Sequence, residues 1–179
     1  MGTPVANRSH EAMENLIGFF VNTVVNRVKV SKDEPLSDLV TKVRDELFRS
    51  QNHQGVPFEK VVDFVKPERD LSRTPLFQVM VNYLNMDAEA AHFGEARMEG
   101  IATHSESAKF DLNFTFRDTG SGSIYLGLEY SLDLYERQTI DQLLNDLKSL
   151  YQLIVQEPAK SLSAIDLVKR DETLAEKAI

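Results

Sequence analysis

The chain has 179 residues, 42% of them hydrophobic, and its 20 Lys and Arg against 28 Asp and Glu give a formal charge of -8. This is the size and apolar content of one ordinary folded domain. The acidic balance argues against a nucleic-acid partner, because phosphate binding draws on clustered Lys and Arg, and the lack of cysteine excludes disulfides, thiol nucleophiles and zinc–thiolate sites.

A cysteine-free chain fits a cytoplasmic setting. The segment from Met1 to Arg8 has no apolar signal core, and the longest apolar run, Leu16 to Val21, is far short of the roughly 20 residues that cross a bilayer, so no membrane association is expected.

In chain order, residues 4–9 read as extended or loop, with Ser9 capping a short helical turn through Asn15. The stretch from Leu16 to Arg27 is too densely apolar, aromatic and β-branched for a half-solvated strand. It predicts a strand buried on both faces in the middle of a sheet, ending near Val30. Asn22 and Thr23 interrupt it. An unpartnered buried polar group costs about 1–3 kcal/mol, so both residues must find partners or face a cavity.

After a turn at residues 31–34, Pro35 suits a first helical position, and Leu36, Leu39, Val40, Val43, Leu47 and Phe48 recur at helical spacing. That predicts a surface helix with one buried stripe, ended by residues 51–55. Pro57 opens a second short helix carrying Phe58, Val61, Val62 and Val65, and Pro67 stops it. Residues 66–75 read as an exposed charged loop in which Asp70 and Arg73 form an ion pair. Leu76 to Leu84 predicts a core strand with Phe77, Val79, Val81 and Tyr83 on one face. Met86 to Glu95 reads as a mobile loop, and Arg97 to Ser107 as a further strand.

Phe110, Leu112, Phe114 and Phe116 alternate with polar residues, and the alternation resumes from Ile124 to Leu132 after a turn at residues 118–123. This is a β-hairpin with one buried face. Asp133, three residues before Glu136, resembles a capping box opening the longest helix, which runs to about Gln156 and is terminated by Pro158. Leu162, Ile165 and Leu167 suggest a small strand, and residues 169–179 a tail or linker.

The common catalytic patterns are missing: no Gly-rich phosphate loop, no Gly-x-Ser-x-Gly elbow, no Gly-x-Gly-x-x-Gly. Gly120-Ser-Gly-Ser123 reads as a hairpin turn. The four histidines, His10, His53, His92 and His104, are scattered, and His10-Glu-Ala-Met-Glu14 lacks the second histidine of a zinc helix. No metal site and no catalytic residue is assigned, and His53, between two helices, suits capping or packing.

Ile17-Gly-Phe-Phe-Val-Asn-Thr-Val-Val-Asn-Arg27 resembles the fifth core motif of the condensation domains of nonribosomal peptide synthetases. His53-Gln-Gly-Val-Pro-Phe-Glu59 resembles the sixth and Arg69-Asp-Leu-Ser-Arg-Thr-Pro-Leu76 the seventh, in the right order and at sensible spacing. Gly2-Thr-Pro-Val-Ala-Asn-Arg8 and Lys109-Phe-Asp-Leu112 are also similar to the family. Gly55 departs from the acidic residue commonest in the sixth motif and Thr74 from the usual Asn of the seventh. The Gly-Phe-Phe-Val-Asn-Thr form looks more like peptide-forming members than epimerization or heterocyclization relatives.

The resemblance implies a chloramphenicol-acetyltransferase-like α/β lobe over residues 1–168, with a mixed, largely antiparallel sheet and two or three helices packed on it. It implies the C-terminal half of an enzyme that forms amide bonds between carrier-bound donor and acceptor. No cofactor is expected to bind directly; the phosphopantetheine arm belongs to the carrier proteins. Implied partners are the N-terminal lobe, peptidyl carrier proteins and a neighbouring adenylation domain, with self-association through the exposed lobe face. The family's His-His-x-x-x-Asp-Gly lies in the N-terminal lobe and does not occur in these residues. The chain is therefore expected to be inactive alone, and Met1 to be an artificial start or a residue inside a longer polypeptide. Asn22, Thr23 and Ser107 are the tunnel-facing candidates, and Asp70 and Arg73 a structural pair. Two other readings are a non-catalytic interaction or scaffold lobe that binds carrier protein, and a self-sufficient acyltransferase, which needs an active-site histidine that the sequence does not point to.

Overall fold

The alternating and β-branched segments assemble into sheet, and the helical periodicities into helices, in a computed structural model that describes residues 1–68, 70, 72–84, 92–93, 96–97, 107–120 and 122–165. The strands are β1 (Gly2–Val5), β2 (Asn22–Val25), β3 (Val79–Leu84), β4 (His92–Phe93), β5 (Ala96–Arg97), β6 (Leu112–Asp118) and β7 (Ile124–Tyr130). The helices are α1 (Leu36–Gln51), α2 (Phe58–Val65) and α3 (Arg137–Gln156). The chain divides into two units, Met1–Arg27 with Phe48–Leu134, and Val28–Leu47 with Tyr135–Ile179, so that the division falls within α1.

The first unit holds a five-stranded sheet in the order β2-β1-β3-β6-β7. β1–β2 and β6–β7 are antiparallel, β1–β3 and β3–β6 parallel, so the expected mixed sheet has the two kinds of pairing in equal number. β4 and β5 pair separately. A parallel neighbour cannot be reached by a tight turn, and α1 and α2 occupy the chain between β2 and β3. α2 lies against β2.

Two expectations about this sheet are overturned. The Leu16–Val30 stretch is not its central strand: β2 has only four residues and lies at the edge, while β3 is in the middle. Ile17 and Phe19 are 104% and 95% exposed. Dense apolar composition is the same for a strand buried on both faces and for a segment presented outward, and only pairing partners distinguish them. Residues 2–5, expected to be a loop from Pro4 onward, are β1, paired with β2 from Gly2↔Val25 to Val5↔Asn22. Proline is tolerated because β1 meets β3 at a single pair, Gly2↔Met80, so that flank of Pro4 is free of ladder bonds.

The core of this unit comprises Val24, Phe77, Met80, Leu112 and Phe114. In β3 the buried residue is Met80, while Val79 and Val81 are half-buried and Tyr83 is exposed. A central strand is covered on both faces, so no single face collects its apolar residues. Phe77 is buried from outside the strand, one residue after Leu76 takes a left-handed φ of 71°. The hairpin has the expected register, Leu112↔Tyr130 through Asp118↔Ile124. Its turn closes with the Thr119 N–H donating to the Ser123 carbonyl at 3.0 Å, and Gly120 and Gly122 have φ of 71° and 78°. The helical turn expected to run from Ser9 to Asn15 is a 3-10 turn over Glu11–Met13, capped by His10, whose Nδ1 accepts from the Ala12 N–H at 3.2 Å.

In the second unit, the Leu36 and Ser37 N–H groups donate to the Lys160 and Pro158 carbonyls at 3.0 and 2.8 Å, which satisfies two of the orphan donors at the start of α1. Leu36, Leu39 and Val43 are covered, whereas Val40, Leu47 and Phe48 are exposed, so the buried stripe is narrower than the periodicity suggests. α3 begins at Arg137, not at Asp133, and its N-cap Glu136 makes no side-chain cap. Residues 131–134 instead form a turn in which the Leu134 N–H donates to the Ser131 carbonyl at 3.2 Å, consuming the Asp133 position. Where a small strand was expected there is a 3-10 turn, Leu162–Ala164, beside an isolated Pro35↔Ser161 bridge. Leu167 and the 169–179 tail lie outside the described residues, as do residues 85–91 and 98–106 of the expected loop and strand; within those two stretches only the short β4–β5 pair and Ser107 are described.

Candidate functional site

The motif-bearing segments meet through Asn22, at the start of β2. Its Nδ2 donates to the Gln54 carbonyl at 2.6 Å and to the Val56 carbonyl at 2.7 Å, and its Oδ1 accepts from the Phe58 N–H at 3.1 Å. Both amide hydrogens and one of the two Oδ1 lone pairs are thereby used. The side chain acts as a surrogate peptide group for the loop between α1 and α2, whose turn closes with the Val56 N–H donating to the His53 carbonyl at 3.1 Å. It also fixes the first residue of α2.

From Phe58 the contact chain continues inward. The Phe58 ring meets Phe77 edge-on at 5.7 Å, and Phe77 stacks on Phe110 at 5.8 Å. Gly2 passes directly beside the Phe77 ring. Asn22, Phe58, Phe77, Phe110 and Gly2 come from five separate stretches of sequence, four of which carry the family resemblance noted above.

Asn26 is a functional-looking residue that the sequence reading did not single out. It is 6% exposed, its Nδ2 donates to Thr3 Oγ1 at 2.8 Å and its Oδ1 accepts from the Ser50 hydroxyl at 2.6 Å. The signal was available: Asn22, Val24 and Asn26 share one face at the strand period of two.

The other candidates are placed as follows. Thr23 is half-buried opposite Pro4, with no side-chain hydrogen bond among the described residues. Ser107 is exposed at the start of the segment leading to Phe110. His53 is exposed, and of His92 only the backbone, in β4, is described; His104 lies outside the described residues. Among the described residues no group of His, Asp and Glu is arranged to hold a metal ion, and no helix is long and apolar enough to cross a membrane.

Asp70 closes a local turn: its Oδ1 accepts from the Ser72 hydroxyl at 2.6 Å and from the Ser72 N–H at 2.9 Å, while Arg73 Nε lies 3.6 Å from Oδ2. The Ser72 hydroxyl, then the Ser72 N–H, with Arg73 adding its charge, hold the Asp70 carboxyl below its ordinary range. Asp70 and Arg73 form part of the wall of an open cleft of about 790 Å³, together with Asp63, Lys66, Leu76 and Gln78. Its walls alternate carboxylates with cations, so it presents no field of a single sign.

Residues 1–175 match the Condensation domain family, and the chain belongs to it. It is 39% identical over 175 residues to part of the linear gramicidin synthase of Brevibacillus parabrevis, covering 96% of this chain and 2% of that protein's length. It is 34% identical over 172 residues to malpinin synthetase of Mortierella alpina, again covering 96% of this chain and 2% of that protein. Among solved structures it is similar to holo-AB3403, a four domain nonribosomal peptide synthetase, with a TM-score of 0.84 at 23% identity, covering 97% of this chain and 14% of that one. It is also similar to the first condensation domain of the CDA synthetase, with a TM-score of 0.69 at 16% identity, covering 94% of this chain and 37% of that one. The fold is thus that of the condensation domains, the chloramphenicol-acetyltransferase-like α/β type.

Proposed function

We propose that this chain is the C-terminal lobe of a condensation domain, residues 1–168 with a short tail, working within a nonribosomal peptide synthetase. The observation that carries the reading is one of extent: nearly all of the chain superposes on a solved condensation domain, yet occupies only 37% of it. The lack of a His-His-x-x-x-Asp-Gly sequence in these residues supports the same reading.

In the complete domain the reaction is attack of an aminoacyl amine on a carrier-bound thioester, which forms the amide and releases the carrier thiol. Peptidyl carrier proteins bearing phosphopantetheine arms deliver both substrates, and an adenylation domain is their neighbour. This lobe supplies one wall of the tunnel. Thr23, half-buried with a free hydroxyl, and Ser107 are its substrate-facing candidates. Asn22 shapes that wall by holding the α1–α2 loop, and Asp70 and Arg73 hold theirs in place.

Loaded donor and acceptor carrier proteins, supplied to the 179-residue chain and to the uninterrupted polypeptide that contains it, test the proposal. A positioned acid or base contributes about 10²–10⁴-fold, and holding two reactants together offsets about 7–11 kcal/mol of barrier. The chain alone is expected to give no product above background. Condensation by the chain alone at the rate of the longer polypeptide would overturn the half-domain reading.

A further inference from the structure

The segment between β1 and β2 is built to present apolar side chains. Arg8 Nη1 donates to the Met13 carbonyl and, at 3.4 Å, to the Glu14 carbonyl, while its guanidinium lies 4.4 Å from the centroid of the Phe20 ring. That pins Phe20 inward. Phe20 in turn lies against Gly18, where an added Cβ would meet the ring at 2.9 Å. With Phe20 held down, the alternate residues Ile17, Phe19 and Val21 point outward, at 104%, 95% and 54% exposure. Solvating an apolar row costs free energy, roughly 1.5–3 kcal/mol for each large side chain that could be buried instead. Here a cation–π contact and two main-chain hydrogen bonds fix the row in its exposed position. The row runs into β2, an edge strand whose outer hydrogen-bonding flank has no partner strand among the described residues.

Resting on the half-domain reading above, we infer that Ile17, Phe19 and Val21 form the docking row for the part of the condensation domain that this chain lacks. The occupant follows from extent: the solved condensation domain is more than twice the length that this chain covers, so the larger remainder belongs to the same folding unit. Its complementary surface is an apolar groove with pockets at a spacing of two residues, the recognition pattern of an extended segment laid along another chain. The exposed carboxylates Glu11 and Glu14 stand beside the row, so the rim of that groove carries cations.

Hydroxyl-radical footprinting of the 179-residue chain and of the uninterrupted polypeptide reads the contact directly, with exposed Ile124 on β7 as the internal control. Labelling of Ile17 and Phe19 is expected to fall about tenfold in the longer polypeptide, the difference between a free side chain and one in an interface core, with Ile124 unchanged. The paired substitutions Ile17→Asp and Phe19→Asp are expected to leave the unfolding midpoint of the 179-residue chain unchanged and to lower that of the longer polypeptide. A longer polypeptide that condenses carrier-bound substrates yet leaves Ile17 and Phe19 fully labelled overturns the docking row and keeps the functional reading. One that neither condenses nor protects them overturns both.

Discussion

A Cβ placed on Gly2 would lie 2.3 Å from two carbons of the Phe77 ring, closer than any real side chain stands. Gly2→Ala therefore has to displace Phe77 from both Phe58 and Phe110. Overpacking of this kind costs about 1–3 kcal/mol. Phe77→Leu removes part of the obstruction, so the double variant is expected to be less destabilised than the sum of the two singles, a coupling that urea unfolding of all four proteins would expose. Strict additivity would show that the close approach carries no strain.

Asn22→Ala leaves the Gln54 and Val56 carbonyls and the Phe58 N–H without their partner. A loss of about 1–3 kcal/mol is expected, since these groups are only partly reached by water. Asn22→Asp keeps the acceptor for Phe58 but sets a carboxylate against two carbonyl oxygens, so it should cost at least as much as alanine. Hydrogen exchange at the Phe58 amide should accelerate in both variants. Wild-type stability in Asn22→Asp would refute the clamp.

The Glu34 carboxyl is held below its ordinary range by its hydrogen bond from Lys42, then by the Ser31 N–H at 3.0 Å. A carboxylate with a lowered pKa in the folded chain binds fewer protons than it does unfolded. Its contribution is complete above the ordinary carboxylate pKa and disappears as pH falls through the folded one. Glu34→Gln should therefore lower the unfolding midpoint near neutral pH and match the wild type in acid. A difference that persists unchanged to the acid side would mean that the carboxylate charge is not what stabilises the segment.

Gly120 and Gly122 both require the left-handed region. Alanine at either is expected to cost about 1–2 kcal/mol, while asparagine, which tolerates that region, should cost less. Thermal unfolding of the four variants would rank them, and equal effects of Ala and Asn would argue that the turn relaxes to another type.

The hairpin, both helices introduced by prolines and most of the long helix were legible because a period and its punctuation lie together in a short window. Phe110 to Phe116 reveals β6 without reference to anything distant. The place of a strand in the sheet is a different kind of property. β2 became an edge because β1 rather than a longer strand pairs with it, and nothing within Leu16–Val30 encodes that. Asn22 was legible as a polar residue needing partners, but the partners are 32 to 36 residues away in a loop with no periodicity of its own. The start of α3 failed for a local reason: Asp133-x-x-Glu136 has the composition of a capping box, and a turn at residues 131–134 took that position first.

The single pair Gly2↔Met80 has a consequence for the order in which the sheet is completed. On one side of it, β1 and β2 join across a connection of fewer than twenty residues; on the other, β6 and β7 join across a tight turn, and β3 adds to them in parallel. Each set is closed by comparatively local pairing, whereas the bridge between β1 and β3 unites positions 78 apart and yields only one register pair in return. Contacts of long sequence separation and small reward form late and open early. The sheet is thus kinetically two ribbons with a seam, and in native-state exchange the amides of residues 2–5 and 22–25 should open together, before those of β3, β6 and β7.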